Sequence, residues 1–140
     1  FLDMNGTYIA GKATIIVLGA SNNETFYLLL AFLNSKLMTF YINQSYSSLG
    51  IGGGINFSKD MVSILPIPNL LESSEALRKI HSLSLNLNLQ DGTKIDFASL
   101  ENQIDFLVYH LYGLTYDEVL IVDPETPISR EEYEAYNIEQ

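Results

Sequence analysis

The chain has 140 residues, of which 47% are hydrophobic, and it carries a net charge of −10 at pH 7. This length suits one domain with its own core. The absence of cysteine excludes disulfide frameworks and thiolate metal sites, and it fits a reducing cytoplasm. The chain starts at Phe1 without a basic leader or a cleavage pattern, so we expect a C-terminal piece of a larger cytoplasmic protein with no targeting signal.

The first predicted elements are strands. β-Branched residues are concentrated in residues 7–18, TYIAGKATIIVL, on both sides of Gly11 and Lys12. This composition predicts a β-hairpin or two short strands, with Ile15 and its two following neighbours buried.

One long apolar helix is predicted next. Ser21 and Glu24 have the spacing of a capping box, and apolar side chains then recur at three- and four-residue intervals up to Tyr41. Asn34, Ser35 and Lys36 interrupt the most apolar window, 26–42. We therefore expect a core helix and no membrane span.

A polar segment rich in glycine and serine, residues 44–60, ends the helical period. The run MVSILPI at 61–67 then predicts a short strand at a sheet edge. Pro66 and Pro68 lack amide donors and would end its pairing.

The second half of the chain reads as helical. A helix is predicted over 70–90, although SLSLNLNL also alternates with period two and leaves a strand open as an alternative. A third helix spans about 97–112 and stops at Gly113. Thr115 with Glu118 and Ser129 with Glu132 are spaced as capping boxes, which predicts two further short helices.

These elements predict an α/β (α+β) fold. A small mixed β-sheet from residues 7–18 and 61–67 would pack against the long helix, and a helical C-terminal subdomain would follow. We divide the chain into a first half at 1–69, the helical subdomain at 70–123 and an acidic tail at 124–140. Residues 1–70 hold three basic and three acidic side chains, whereas residues 71–140 hold four basic and fourteen acidic ones.

Enzymatic chemistry has little support in the sequence. The glycines of GIGGG follow a helix and precede a strand, the reverse of a phosphate-binding loop. His81 and His110 lack a second histidine or a carboxylate at ligand spacing, so we expect structural roles for both. The carboxylates are scattered, and no pair suggests itself as general acid and base. We therefore assign no catalytic and no metal-binding residue.

Two stretches resemble a known family. The order LLxxLNSKLxxFY, a serine- and glycine-rich loop, FSKD and LPIP, followed by LENQIDFLVYHLYGLTYDEVLIVD, is similar to the TaqI-like C-terminal specificity domain. That domain is the target-recognition part of type IIG restriction-modification enzymes and related adenine-specific DNA methyltransferases. Together the stretches cover roughly residues 24–123. Specificity subunits of type I systems use similar arrangements and stay an alternative.

The resemblance implies sequence-specific binding of double-stranded DNA by the less acidic first half. Serine hydroxyls, glycine amides and lysine charges suit phosphates, and asparagine or glutamine amides can pair with adenine. Tyr46 would pack on a sugar or a base. The residues assigned to DNA are Lys12, Asn43, Gln44, Tyr46, Ser47, Ser48, Gly52, Gly53, Gly54, Asn56, Ser58 and Lys59.

The resemblance also implies that catalysis lies upstream of this chain. The family's asparagine-proline-proline-aromatic motif, its glycine-rich S-adenosylmethionine site and the nuclease motif are missing from the sequence. We expect the chain to be catalytically silent and to need no cofactor. S-adenosylmethionine and Mg²⁺ would serve the parent enzyme, a site-specific adenine methyltransferase and endonuclease. Its methyltransferase domain would be the protein partner.

A different class of function is left open by the net charge. DNA-binding surfaces are usually basic. An acidic protein-interaction module, docking a partner through its helical half, is therefore the alternative hypothesis.

Overall fold

A computed structural model of the chain describes residues 23–46, 58–70, 74–88 and 96–136. Within these residues it contains seven helices. In chain order they are α1 (Asn23–Asn34), α2 (Lys36–Tyr46), α3 (Lys59–Ser63), α4 (Glu75–Asn88), α5 (Phe97–Leu111), α6 (Tyr116–Val122) and α7 (Arg130–Ala135).

The predicted α/β fold is wrong, because the described residues contain helices and no strand. The run at 61–67, expected as a strand, divides between the end of α3 and an irregular segment. Ser58 starts α3 because its side chain accepts a hydrogen bond from the amide of Met61. The other predicted strands, at 7–18, lie outside the described residues.

The predicted long helix is two helices. α1 and α2 meet at Ser35 with a bend of 58°. The hydroxyl of Ser35 donates to the carbonyl of Phe32 at 2.8 Å and accepts from the amide of Met38 at 3.2 Å. One side chain thus ends α1 and caps α2.

The main core lies where α1, α4 and α5 pack together. Phe32 and Ile80 are fully buried at its centre. We call this set the first core cluster; its buried members are Leu28, Ala31, Phe32, Leu77, Ile80, Ile104, Leu107 and Val108. The apolar stripe of α4 enters this core, so the helix predicted at 70–90 is confirmed over a shorter range, and the strand alternative is not.

No single helix among the described residues is long and apolar enough to cross a membrane. The bent pair α1 and α2 together has the length and apolar composition of a membrane span, although only length and composition support this. Leu28, Ala31 and Phe32 of α1 are buried against the other helices of the first core cluster, as expected for a core helix.

The C-terminal helices follow their predicted caps closely. Thr115 with Glu118 starts α6, and Ser129 with Glu132 starts α7; both capping boxes are complete. These helices pack on the end of α5 through the third core cluster, whose buried members are Tyr109, Val119 and Tyr133. The two capping-box predictions are confirmed.

Gly113 ends α5 with φ of +68°, a left-handed conformation, and a Cβ built there has open space around it. Replacing Gly113 with alanine should therefore cost about 1 kcal/mol through backbone strain and not through a clash. Urea unfolding followed by circular dichroism measures this cost. Gly113→Asn is the control, since asparagine tolerates this conformation better and should lose less; equal losses would contradict the explanation.

Candidate nucleic-acid interface

The described part of the predicted DNA-binding set lies at the end of α2 and the start of α3. Asn43 and Gln44 are exposed in the last turn of α2. Ser58 and Lys59 are exposed at the beginning of α3. The remaining predicted residues lie outside the described part of the chain: Lys12, Ser47, Ser48, Gly52, Gly53, Gly54 and Asn56.

Apolar packing brings these two helices together. Met38, Ile42 and Leu65 form the second core cluster, and Tyr46 and Val62 pack against it. Tyr46 at the end of α2 and Val62 in α3 thus pack on the same cluster, one on each side of the glycine- and serine-rich segment in the sequence. The structure places part of the Tyr46 side chain against this cluster, so the ring is not wholly free for a sugar or a base.

Lys59 is the cation of this region that has no ion pair within the described residues. Lys36 pairs with Asp123, Lys79 with Glu75, and the two arginines also contact carboxylates. Lys59 is exposed, and Asp60 follows it in the sequence. A phosphate could therefore use its charge without first breaking an ion pair.

The opposite character is found on α6 and α7. Their exposed carboxylates outnumber Arg130, which pairs with Asp117 and Glu134. Arg130 also lies over the ring of Tyr116, 4.7 Å from its centre. This end of the molecule would repel a polyanion such as DNA.

Two buried aspartates contact Lys36 at the start of α2, and the sequence did not predict these contacts. Asp105 on α5 accepts the backbone N–H of Lys36 at 2.9 Å, and Asp123 after α6 pairs with the Lys36 ammonium at 2.6 Å. Asp105 is 6% exposed and Asp123 is 8% exposed. Burial is the main cause that raises the pKa of Asp105 to about 6, against the lowering effects of Lys36. These contacts join residues that lie 69 and 87 positions apart along the chain, and no local sequence pattern predicts them.

Tyr109, one turn along α5 from Asp105, is fully buried, and its hydroxyl has no hydrogen-bond partner within the part of the chain that the structure describes. Burial raises the pKa of Tyr109, and the nearby carboxylates of Asp105 and Asp123 raise it further. Tyr109 therefore stays neutral and serves as a large core residue of the third core cluster.

Both histidines contact aromatic rings. His110 stacks on Tyr133 with 4.0 Å between ring centres, and burial lowers the pKa of His110. His81 meets Tyr27 edge to face at 5.8 Å. Among the described residues no group of histidines and carboxylates could hold a metal ion. Packing is the role that these contacts support for both.

An open groove of about 710 Å³ lies between α4, the start of α5 and α7. Its walls combine apolar Leu83, Phe106 and Tyr136 with polar Asn102 and Gln103. None of the five described residues predicted to contact DNA lines this groove.

The likeness to the specificity domain rests on the sequence pattern, and the structure shows what part of that pattern does locally. In LNSK, Ser35 caps α2 and Lys36 reaches two aspartates; in LPIP, the carbonyl of Pro66 accepts the hydroxyl of Tyr112. These residues have roles in the fold itself. In comparisons with known proteins, no family model, no curated protein and no solved structure matches the chain.

Proposed function

We propose that this chain binds double-stranded DNA as the specificity domain of a restriction-modification enzyme, with methyl transfer and cleavage carried out by other parts of the parent protein. The observation that carries the proposal is that two exposed side-chain amides and a cation with no ion pair among the described residues lie on two helices that pack on the same core cluster. Asn43 and Gln44 end α2, Lys59 begins α3, and the second core cluster joins the two helices.

Each of these side chains would have a distinct task on DNA. The ammonium of Lys59 would contact a phosphate, which adds affinity on any sequence. The amides of Asn43 and Gln44 can donate to and accept from the major-groove edge of adenine, which adds sequence preference. Ser58 already caps α3 through its hydroxyl, so its first task is to hold Lys59 in place.

The charge distribution supports the same face. Residues 23–46 and 58–70 carry two basic and two acidic side chains, whereas the helices after residue 96 are strongly acidic. Among the described residues, duplex DNA would therefore be repelled less by residues 23–46 and 58–70 than by the helices after residue 96.

Replacing Lys59 with alanine tests the proposal. We expect weaker binding on all sequences alike, and a slope of log affinity against log salt that is smaller by about 1. Fluorescence anisotropy with random-sequence duplexes over a salt series measures both. Lys79→Ala is the matched control, because it removes the same charge on α4, where Lys79 already contacts Glu75 and Tyr136. Equal effects of the two substitutions would contradict the placement of the interface.

Base reading is tested separately. Asn43→Ala and Gln44→Ala should each relax the sequence preference recovered by selection from a random pool, while binding to unselected DNA changes little. An unaltered preference in both variants would remove these residues from the reading surface.

A second function is favoured by the surface of α6. Ile121 is 64% exposed and Leu120 is 37% exposed, and Asp117, Glu118 and Glu125 surround them in sequence. Such a surface suits docking on a basic protein partner. If the chain binds no duplex even at low salt, this alternative takes the place of DNA recognition. An upstream methyltransferase motif in the gene would instead favour DNA recognition.

A further inference from the structure

The start of α2 is completed by side chains that come from the far half of the chain. The first amides of a helix have no partner within it. Ser35 accepts from the third of them, that of Met38, and Asp105 accepts from the first, that of Lys36. The cap on the first amide is thus supplied by α5, 69 residues further along the chain.

The same residue is held by its side chain. The ammonium of Lys36 pairs with Asp123, which is 8% exposed at the end of α6. The next residue, Leu37, packs against both the first and the third core clusters. Backbone, charge and apolar contacts therefore fix the first turn of α2 against α5 and α6. We call Ser35, Lys36, Asp105 and Asp123 the Lys36 anchor.

We propose that the Lys36 anchor sets the direction of α2, so that the acidic C-terminal helices position the end of α2 that carries Asn43 and Gln44. The positioning itself stands on the contacts above, and its consequence for DNA rests on the proposed function. An 11-residue helix is about 16 Å long. A change of roughly 10° at its first turn would therefore move its last turn by about 3 Å.

A displacement of that size equals the usual donor–acceptor distance of a hydrogen bond. It would therefore separate a side-chain amide from a base edge. The anchor residues would not touch DNA. They act through α2 and are positioning residues, and this gives the acidic half of the chain a task in recognition that does not require contact with phosphates.

Hydrogen exchange at the Lys36 amide measures the anchor directly, because its acceptor is the Asp105 carboxylate. In the whole chain at constant pH, Asp105→Leu should accelerate exchange at this amide about tenfold, the usual effect of losing a helix cap. Asp105→Asn keeps an acceptor and should change the rate far less. Asp123→Asn, a milder change that preserves the shape of the side chain, should accelerate exchange in the first turn of α2.

DNA binding separates positioning from charge. Asp123→Asn removes a negative charge and frees Lys36, so a purely electrostatic effect would tighten binding. If the anchor positions α2, Asp123→Asn has the opposite effect on the sequences that the unsubstituted chain prefers. The affinity of the variant for those duplexes should fall at least about fivefold, while its affinity for unselected duplexes does not fall. Glu125→Gln is the matched control. This exposed carboxylate lies two residues on and has no ion pair among the described residues, so its removal should leave the ratio of the two affinities unchanged.

The outcomes are distinct. Unchanged exchange at Lys36 and in the first turn of α2, in both Asp105→Leu and Asp123→Asn, would overturn the anchor. Faster exchange with an unchanged affinity ratio would overturn its role in recognition. If the original chain binds no duplex, the proposed function fails, and the exchange rates alone decide whether the anchor positions α2.

Discussion

Replacing Phe32 with alanine should destabilise the fold by about 3–5 kcal/mol, the usual range for removing a buried phenylalanine. Phe32 is fully buried in the first core cluster and meets the ring of Tyr112 edge to face at 6.2 Å. Its loss would leave a cavity where α1, α4 and α5 meet. Since domains of this size have a total stability of about 5–15 kcal/mol, the variant should be partly unfolded in mild denaturant.

Urea unfolding followed by circular dichroism measures this loss. Phe97→Ala is the matched control, because Phe97 is 50% exposed at the first position of α5, and its removal should cost less than about 1 kcal/mol. Similar losses for the two substitutions would show that α1 is not packed in the core as described.

Replacing Asp105 with asparagine should stabilise the chain at pH 7 by about 1–3 kcal/mol. The carboxyl has a pKa of about 6 in the fold and an ordinary value of 3.8, chiefly because burial disfavours the charged form. At pH 7 the fold must hold this carboxylate ionised, and the difference between the two pKa values corresponds to about 3 kcal/mol. Asparagine removes the charge and keeps an oxygen that can accept the Lys36 amide.

The pH dependence of this effect has a definite sign. When folding raises the pKa of a carboxyl, the folded chain binds the proton more strongly than the unfolded chain does. The free energy of unfolding therefore increases as the pH falls through about 6, and the contribution of Asp105 becomes constant below 3.8. The groups that face it are Lys36, Asp123, Glu101 and Tyr109. Glu75 and Glu118 have the opposite effect on stability. Hydrogen bonds from Arg78 and Thr115 lower their pKa values, so the fold loses the stability that these carboxylates contribute as the pH falls through those values.

Unfolding free energies at pH 5 and pH 7 test this directly. The original chain should gain stability from Asp105 between pH 7 and pH 5, and Asp105→Asn should lack that gain. Glu101→Gln, on the exposed side of α5, is the control and should retain most of it. The same pH dependence in Asp105→Asn and the original chain would assign the effect to other groups.

Local signals explain which helices were predictable. The capping boxes that begin α6 and α7 act within four residues, and Gly113 ends α5 through its own backbone conformation. The apolar spacing of α5 also places Ile104, Leu107 and Val108 in the core. Short-range hydrogen bonds and a regular stripe are properties of the sequence itself, so these predictions needed no tertiary information.

The strand at 61–67 failed because its apolar residues have no period of their own. Ser58 supplies a cap that favours a helical turn. Packing on the core clusters then buries Leu65 and partly buries Ile67. A short apolar run is compatible with either structure, and its partners decide between them.

By itself the sequence determined the helical second half, the uneven distribution of charge and the polar residue types at the end of α2. The tertiary structure alone decided the burial of Asp105 and the packing of the second core cluster that joins α2 to α3. The physical reason is distance along the chain. Lys36 meets Asp105 and Asp123 across 69 and 87 residues, and contacts of that kind exist only after the helices have packed.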